Sequence, residues 1–231
     1  MKNKHVFIIT AVLFLFGTAQ AFAQKKEVRD VESFTSIGMS VHGDLYLKQG
    51  SPQKVEIEAD EKTLERVVTV VKDGKLKIKF DKPGFSSKSN IKIWVTVPEI
   101  EGLYMAGSGN IIAEDEIQSD EMEISVSGSG NMKIKQLTSD EVSMAVSGSG
   151  DITIGGTGDE MDVSISGSGK VDAEQLKVEE CSVAVSGSGN CTVNVSKELE
   201  AAISGSGKVY YAGNPQVNAK VSGSGKVQSL D

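Results

Sequence analysis

The chain has 231 residues, of which 39% are hydrophobic and 24% charged, a balance that excludes both a disordered acidic tail and a polytopic membrane protein. A formal charge of -8 and a pI near 5.0 argue against the cationic surface that nucleic acid requires, so DNA and RNA are not expected partners. With 25 glycines against 4 prolines and 5% aromatic residues, neither collagen nor a proline-rich linker fits, and the glycines must serve geometry at particular positions.

Lys2 and Lys4 precede an unbroken apolar run from Val6 to Phe16, and Ala21-Phe22-Ala23 supplies the small-x-small pattern of a signal-peptidase site. Cleavage is predicted between Ala23 and Gln24. A membrane-spanning helix needs about 20 apolar residues, so this run is an export signal and the mature chain is not membrane-spanning. No cysteine adjoins the cut for a lipid anchor, and the expected location is the periplasm or the secreted, cell-surface side. Removal of residues 1–23 leaves a charge of -10 and His42 as the one histidine.

Residues 31–98 show strand alternation in Asp44-Leu45-Tyr46-Leu47, Lys54-Val55-Glu56-Ile57, Leu76-Lys77-Ile78 and Ile91-Lys92-Ile93-Trp94-Val95. Asp60 is placed to cap a helical turn at 61–66, and Asp73-Gly74 reads as a hairpin turn. This stretch is expected to form an N-terminal cap with degenerate coils. Val41-His42-Gly43-Asp44-Leu45 already resembles the phrase that follows, with a shorter corner.

From residue 99 onward Gly-Ser-Gly recurs seven times, at intervals of 18 to 21 residues. The corner glycines are Gly107 and Gly109, Gly128 and Gly130, Gly148 and Gly150, Gly167 and Gly169, Gly187 and Gly189, Gly205 and Gly207, and Gly223 and Gly225. Both flanks alternate with period two. Met105, Val126, Val146, Ile165, Val185, Ile203 and Val221 stand two before the first glycine, and Leu103, Ile124, Met144, Val163, Val183, Ala201 and Ala219 two before those. After the phrase, Ile111, Met132, Ile152, Val171, Cys191, Val209 and Val227 take the second position. All are predicted to face a core.

About 20 residues per repeat is too few for a propeller blade and suits one coil of a parallel β-helix. A single coil cannot bury enough apolar surface to fold alone, so stability accrues only along the stack. The predicted fold is therefore all-β: a right-handed parallel β-helix spanning 24–231 as one domain, with the cap at 31–98 and Gly-Ser-Gly coils at 99–231. Seven rungs would rise about 34 Å. The repeated serines should stack along one flat, polar edge.

The export signal, the β-rich section with Phe34, Ile37, Gly43-Asp44 and Asp73-Gly74-Lys75-Leu76, and the Ser-Gly-Ser-Gly coils together resemble a secreted bacterial family, the auto-transporter adhesin head GIN domain, and its Bacteroidetes members in particular. The resemblance covers residues 28–231. It implies a pectin-lyase-like right-handed β-helix with no catalytic set and a role in cell adhesion. No series of amphipathic membrane strands follows the coils, so export through its own barrel is not expected.

Chemistry-bearing residues are few. Asp151, Asp159, Glu160, Asp162 and Asp172 lie close in sequence and could meet as paired carboxylates on adjacent coils, although solvated outward faces are the simpler account. Gly155–Glu160 departs from the calcium nonapeptide at Glu160, and Gly169-Lys170 and Gly207-Lys208 depart from a phosphate loop. Cys181 and Cys191 take inward positions, as two buried thiols or as a disulfide. His42 beside a turn glycine makes neither a zinc site nor a dyad. Trp94, Tyr104, Tyr210 and Tyr211 are either sugar-stacking rings or packing at the ends of the stack. No catalytic residue, cofactor or metal ligand is assigned. Three readings follow: a non-catalytic adhesion or ligand-binding protein contacting carbohydrate or a surface protein, a polysaccharide lyase or hydrolase using the acids near 151–172, and an architectural periplasmic subunit. The C-terminal coil, with little to cover it, suggests a homo-oligomer.

Overall fold

The computed structural model describes residues 24–85 and 87–230. The predicted export signal, through Ala23, lies outside the described residues. Gln24 lies within them, its side-chain amide donating to the Asn90 carbonyl at 3.2 Å.

The N-terminal section builds β1 (Lys25–Arg29), β2 (Ser36–Met39), β3 (Asp44–Gln49), β4 (Lys54–Ala59), the single turn α1 (Glu61–Leu64), β5 (Val67–Lys72), β6 (Lys75–Phe80) and β7 (Lys92–Val97). The repeats supply β8 (Gly102–Gly107), β9 (Asn110–Gly128), β10 (Asn131–Gly148), β11 (Asp151–Gly167), β12 (Lys170–Gly187), β13 (Asn190–Gly205), β14 (Lys208–Ala212), β15 (Gln216–Gly223) and β16 (Lys226–Ser229). All sixteen strands join one sheet wound into a β-solenoid of about six turns.

Two walls run the length of the stack. Segments leaving each corner form the first, in the order β1-β4-β7-β3-β9 through β14 and β16. Segments entering each corner form the second, from β5, β6, β2 and β8 through β9–β13 to β15. Neighbouring coils pair in parallel, with Val146 beside both Val126 and Ile165, and Gly148 beside Gly128 and Gly167. The cap differs: β1-β4, β4-β7 and β5-β6 are antiparallel, and Asp73 (φ 52) with Gly74 (φ 70) makes the hairpin turn between β5 and β6. β3 stacks on β9 with Asp44 beside Asn110, so the rung containing Gly43 directly precedes the first Gly-Ser-Gly rung.

Why glycine stands at the corner is visible at Gly148. Its φ is +122°, and a Cβ there would lie 2.5 Å from the Gly128 carbonyl oxygen of the coil below. At Gly150 a Cβ would meet the Gly130 oxygen at 2.3 Å and Val126 Cγ1 at 2.5 Å. Both glycines are thus set by the close approach of successive corners. That approach lets the Ser149 N–H donate to Gly128 O at 2.9 Å, and the Ser168 N–H to Gly148 O at 2.8 Å.

The predicted inward positions are buried from Leu103 to Val209. The last coil is the exception. Ala219 and Val221 are exposed and Val227 is half-buried, because among the described residues no further rung covers β15 or β16 and their inner side opens to water.

α1 follows from local chemistry. The Asp60 carboxylate accepts the Thr63 N–H and the Thr63 hydroxyl, both at 2.9 Å, and Arg29 Nη2 donates to the last-turn carbonyl of Leu64 at 2.8 Å. The Thr63 N–H, against the opposing effect of burial, holds the Asp60 carboxyl below its usual 3.8. A depressed native value stabilises the fold above the unfolded value, and the contribution is lost as pH falls through the native one. Asp60→Ala should therefore cost about 1 kcal/mol at pH 7. In urea unfolding the gap between variant and wild type should narrow once the pH is taken below 3.8. An equal gap at both ends of that range would refute the cap.

Candidate functional site

Parallel stacking turns positions seven before each corner into a column. Glu121, Glu141, Glu160, Glu180 and Glu198 lie side by side on the outside of the second wall, ending at Gln216. Asp120, Asp140, Asp159 and Glu179 immediately precede the first four in the chain. The next outward column reads Glu123, Ser143, Asp162, Ser182, Glu200 and Asn218, and the third reads Tyr104, Ser125, Ala145, Ser164, Ala184, Ala202 and Lys220. A ridge of long carboxylates therefore borders a strip of small side chains.

Between them runs an open groove of about 1290 Å³, from Ser36 and Glu99–Glu101 at the cap to Ser182 and Ala184. Glu99, Glu101, Asp120, Glu121, Glu123, Glu141 and Asp162 line it, with no lysine or arginine among the described lining residues. Residues 99–200 carry 5 basic and 20 acidic side chains, so most of the protein's negative charge sits on these coils.

Tyr104 closes the cap end. Its ring lies over Gly102, where a Cβ would come within 2.8 Å of Tyr104 Cε2, and its hydroxyl donates to Glu123 Oε2 at 2.5 Å. The Lys75 ammonium sits 3.1 Å from the ring centroid. Burial, reinforced by the Glu123 carboxylate, pushes the phenol up to about 12. Tyr104 is thus a neutral hydrogen-bonding residue whose ring contacts a lysine, rather than a bare stacking surface.

The structure divides the acids that the sequence had grouped. Asp159, Glu160 and Asp162 belong to the carboxylate wall, whereas Asp151 and Asp172 lie on the first wall, where the chain has just left a corner. There the Lys170 ammonium donates to Asp172 at 2.7 Å and the Lys170 backbone N–H to Asp151 at 3.1 Å. The hydrogen bond to Asp172 is the main reason that the Lys170 pKa is raised. Asp151 is a structural neighbour of Lys170, and no five-carboxylate site forms.

Trp94 stacks on Tyr46 at 5.9 Å between centroids, and Lys26 lies 3.9 Å over its ring. It stands outward and part-buried on the first wall, in register with Tyr46 of β3. Tyr210 stands outward on the same wall between Thr192 and Gln228, and Tyr211 packs against the core. His42 lies 3.2 Å from the Ser89 carbonyl, through Nε2, and 5.7 Å from the Phe80 ring, as a turn residue pinning the cap loop. In the calcium-like stretch a Cβ at Gly155, Gly156 or Gly158 would close on the backbone oxygen of Lys135, Leu137 or Ser139 respectively, so these glycines answer to the packing of one coil on the next. No group of three or more His, Cys, Asp or Glu side chains suited to a metal ion occurs among the described residues.

Cys181 and Cys191 are free and buried. Burial pushes the Cys181 thiol up to about 12 and that of Cys191 well up, with Cys181 adding to the latter. Because the thiolate is the nucleophile, native protein at pH 8 should react with iodoacetamide at least about a hundredfold more slowly than urea-unfolded protein. Rapid native labelling counted by mass spectrometry would contradict this burial.

The carboxylate column and its groove were not found from sequence. The signal was there: an acid recurs seven residues before the phrase at Glu121, Glu141, Glu160, Glu180 and Glu198.

Compared with known proteins, residues 33–215 match a family described as "Putative auto-transporter adhesin, head GIN domain". No curated protein matches the chain. Among solved structures, a "putative adhesin" from Bacteroides fragilis is similar at 24% identity and a TM-score of 0.85, with 90% of this chain and 97% of that one covered. A "putative adhesin" from Parabacteroides distasonis has 25% identity and a TM-score of 0.73, with the same coverage. A "putative lipid binding protein" from the same species has 25% identity and a TM-score of 0.71, again covering 90% and 97%.

Proposed function

The chain belongs to the auto-transporter adhesin head GIN domain family, and from that premise we propose that it is an exported, non-catalytic binding protein that holds an extended ligand in the groove of its second wall. The observation that carries this reading is the groove itself, several coils long, floored by small side chains and lined by serine hydroxyls and seven carboxylates. Hydroxyls and carboxylates in rows accept and donate hydrogen bonds along a polyhydroxylated chain. The buried side chains fill the interior of the coils, so contact falls to the outside.

Charge narrows the ligand to neutral or cationic glycans. A uronic-acid polymer would lie against carboxylates with no lining lysine or arginine to receive its own. For the same reason the polysaccharide-lyase reading finds no support in this groove, since a uronate substrate needs a cation beside its carboxylate. An exported location accords with the family and with the absence, among the described residues, of a helix long and apolar enough to cross a membrane.

The test is a glycan array followed by calorimetry on the mature protein. Neutral or amino-sugar oligomers should bind and uronic-acid oligomers should not. Ala145→Arg, which puts a long cation into the trough from an exposed position, should weaken binding at least about tenfold. Turnover of a uronic-acid glycan, or binding indifferent to Ala145→Arg, would overturn the proposal.

A further inference from the structure

At the end of the stack away from the cap, β15 pairs, among the described residues, with β13 alone, and every one of its residues is exposed. Leu199 and Ile203 of β13 are 0% and 3% exposed, whereas Val217 and Val221, their partners one rung on, are 36% and 44% exposed. The second wall thus ends in a strand with one unpaired backbone edge and apolar side chains on its inner face.

Charge reverses at the same place. Where β13 carries Glu198, Glu200 and Ala202, β15 carries Gln216, Asn218 and Lys220. On the first wall the column runs from Asn190 to Lys208 to Lys226. Between 201 and 230 there are 3 lysines and no acidic residue, beside coils that are strongly acidic.

This polarity discriminates among occupants of the edge. Two copies meeting end to end would bring lysines against lysines, with no carboxylate among residues 201–230 to separate them. A copy docking through its N-terminal end would present to the same lysines either β1, with Lys25, Lys26 and Arg29 against the single acid Glu27, or β5, whose one charged residue is Lys72. We propose that the β15 edge receives an extended segment of another protein, alternating acidic and apolar residues, which adds as the next rung of the second wall. Its main-chain groups complete the ladder, its apolar residues cover Val217, Ala219 and Val221, and its acidic residues lie beside Lys220. Glu198-Leu199-Glu200-Ala201-Ala202-Ile203, which packs on β15 from the other side, shows the alternation that fits this strand, with its glutamates beside Gln216 and Asn218 and the small Ala202 beside Lys220, the position at which an incoming acid would pair.

The probe is a fluorescent peptide with the sequence of residues 198–205 carrying Ala202→Glu, which sets an acid at the position beside Lys220, titrated into the mature protein and read by anisotropy. Saturable binding is expected, weakened at least tenfold when the three peptide glutamates are replaced by lysine, and likewise by Lys220→Glu in the protein. The Lys220→Glu protein should in turn prefer the lysine peptide, a reversal that mere damage to the fold would not produce. Equal affinity for the two peptides, or no binding, would overturn the proposal. So would sedimentation showing a dimer that blocks peptide binding, which gives the edge to a second copy, or retention on anionic vesicles abolished by Lys220→Glu, which gives it to a lipid surface.

Discussion

Gly167→Ala is expected to lower the free energy of unfolding by about 2–4 kcal/mol, among the larger effects of any single methyl group. The residue has φ +125°, and the added Cβ would lie 2.5 Å from the Gly148 oxygen, so the substitution meets an unfavourable backbone conformation and a rigid backbone neighbour together. Relief would require coils to separate at the corner, straining the Ser168 N–H to Gly148 O hydrogen bond. Gly223→Ala has the same local geometry, φ +119° and an oxygen at 2.3 Å, but sits in the terminal rung. In a stack held by nearest-neighbour contacts, that rung can detach while the rest persists. Urea unfolding followed by circular dichroism should show a clear loss of stability for Gly167→Ala and almost none for Gly223→Ala, with faster amide exchange confined to β15 and β16. Equal losses at the two sites would mean that the stack unfolds as one unit irrespective of position.

The carboxylate column should give an effect of opposite sign. Glu141, Glu160 and Glu180 each stand directly beside two other glutamates of the column, and like charges side by side in a sheet cost about 0.2–1 kcal/mol per pair. Replacing all three by glutamine removes four such contacts and should stabilise the protein by about 1–3 kcal/mol at low ionic strength. Because these side chains are exposed, the gain should shrink in 0.5 M salt, where the screening length is only a few ångströms. Thermal unfolding at two salt concentrations measures it. A destabilised triple variant would show that hydrogen bonding along the column outweighs repulsion. Stabilisation together with weakened glycan binding would mark the column as a binding feature maintained at a cost in stability.

Much of the architecture was legible because two rules act on every coil. Period two told inside from outside, and Gly148 or Gly187 could be assigned to a corner because the phrase recurs where the chain must bend tightly. The turns at Asp60 and Asp73-Gly74 were legible from local chemistry alone. The groove was not, since its walls consist of residues 18 to 21 apart, brought level only by register. Asp151 and Asp172 were grouped with Asp159, Glu160 and Asp162 by closeness in sequence, but the bend through Gly155–Gly158 carries the chain from one wall to the other. The sequence of the last coil repeats the inward pattern of the others, yet burial depends on what covers a strand, which Ala219 and Val221 do not reveal. The antiparallel pairing of β1, β4 and β7 likewise depends on contacts far apart in the chain.

Coils of unequal length keep step at the glycine corners because the mismatch is absorbed elsewhere. Register shifts fall at Ile134/Leu137, Thr153/Gly155 and Ala173/Lys177, with a further one at Val178/Glu180, all between the segment that leaves one corner and the segment that enters the next, while Gly128, Gly148, Gly167, Gly187 and Gly205 remain aligned. The bend beyond the first wall is thus an expansion joint. Foreign loops grafted there, one per coil, could be displayed at regular spacing along a rod without disturbing the rungs that carry them.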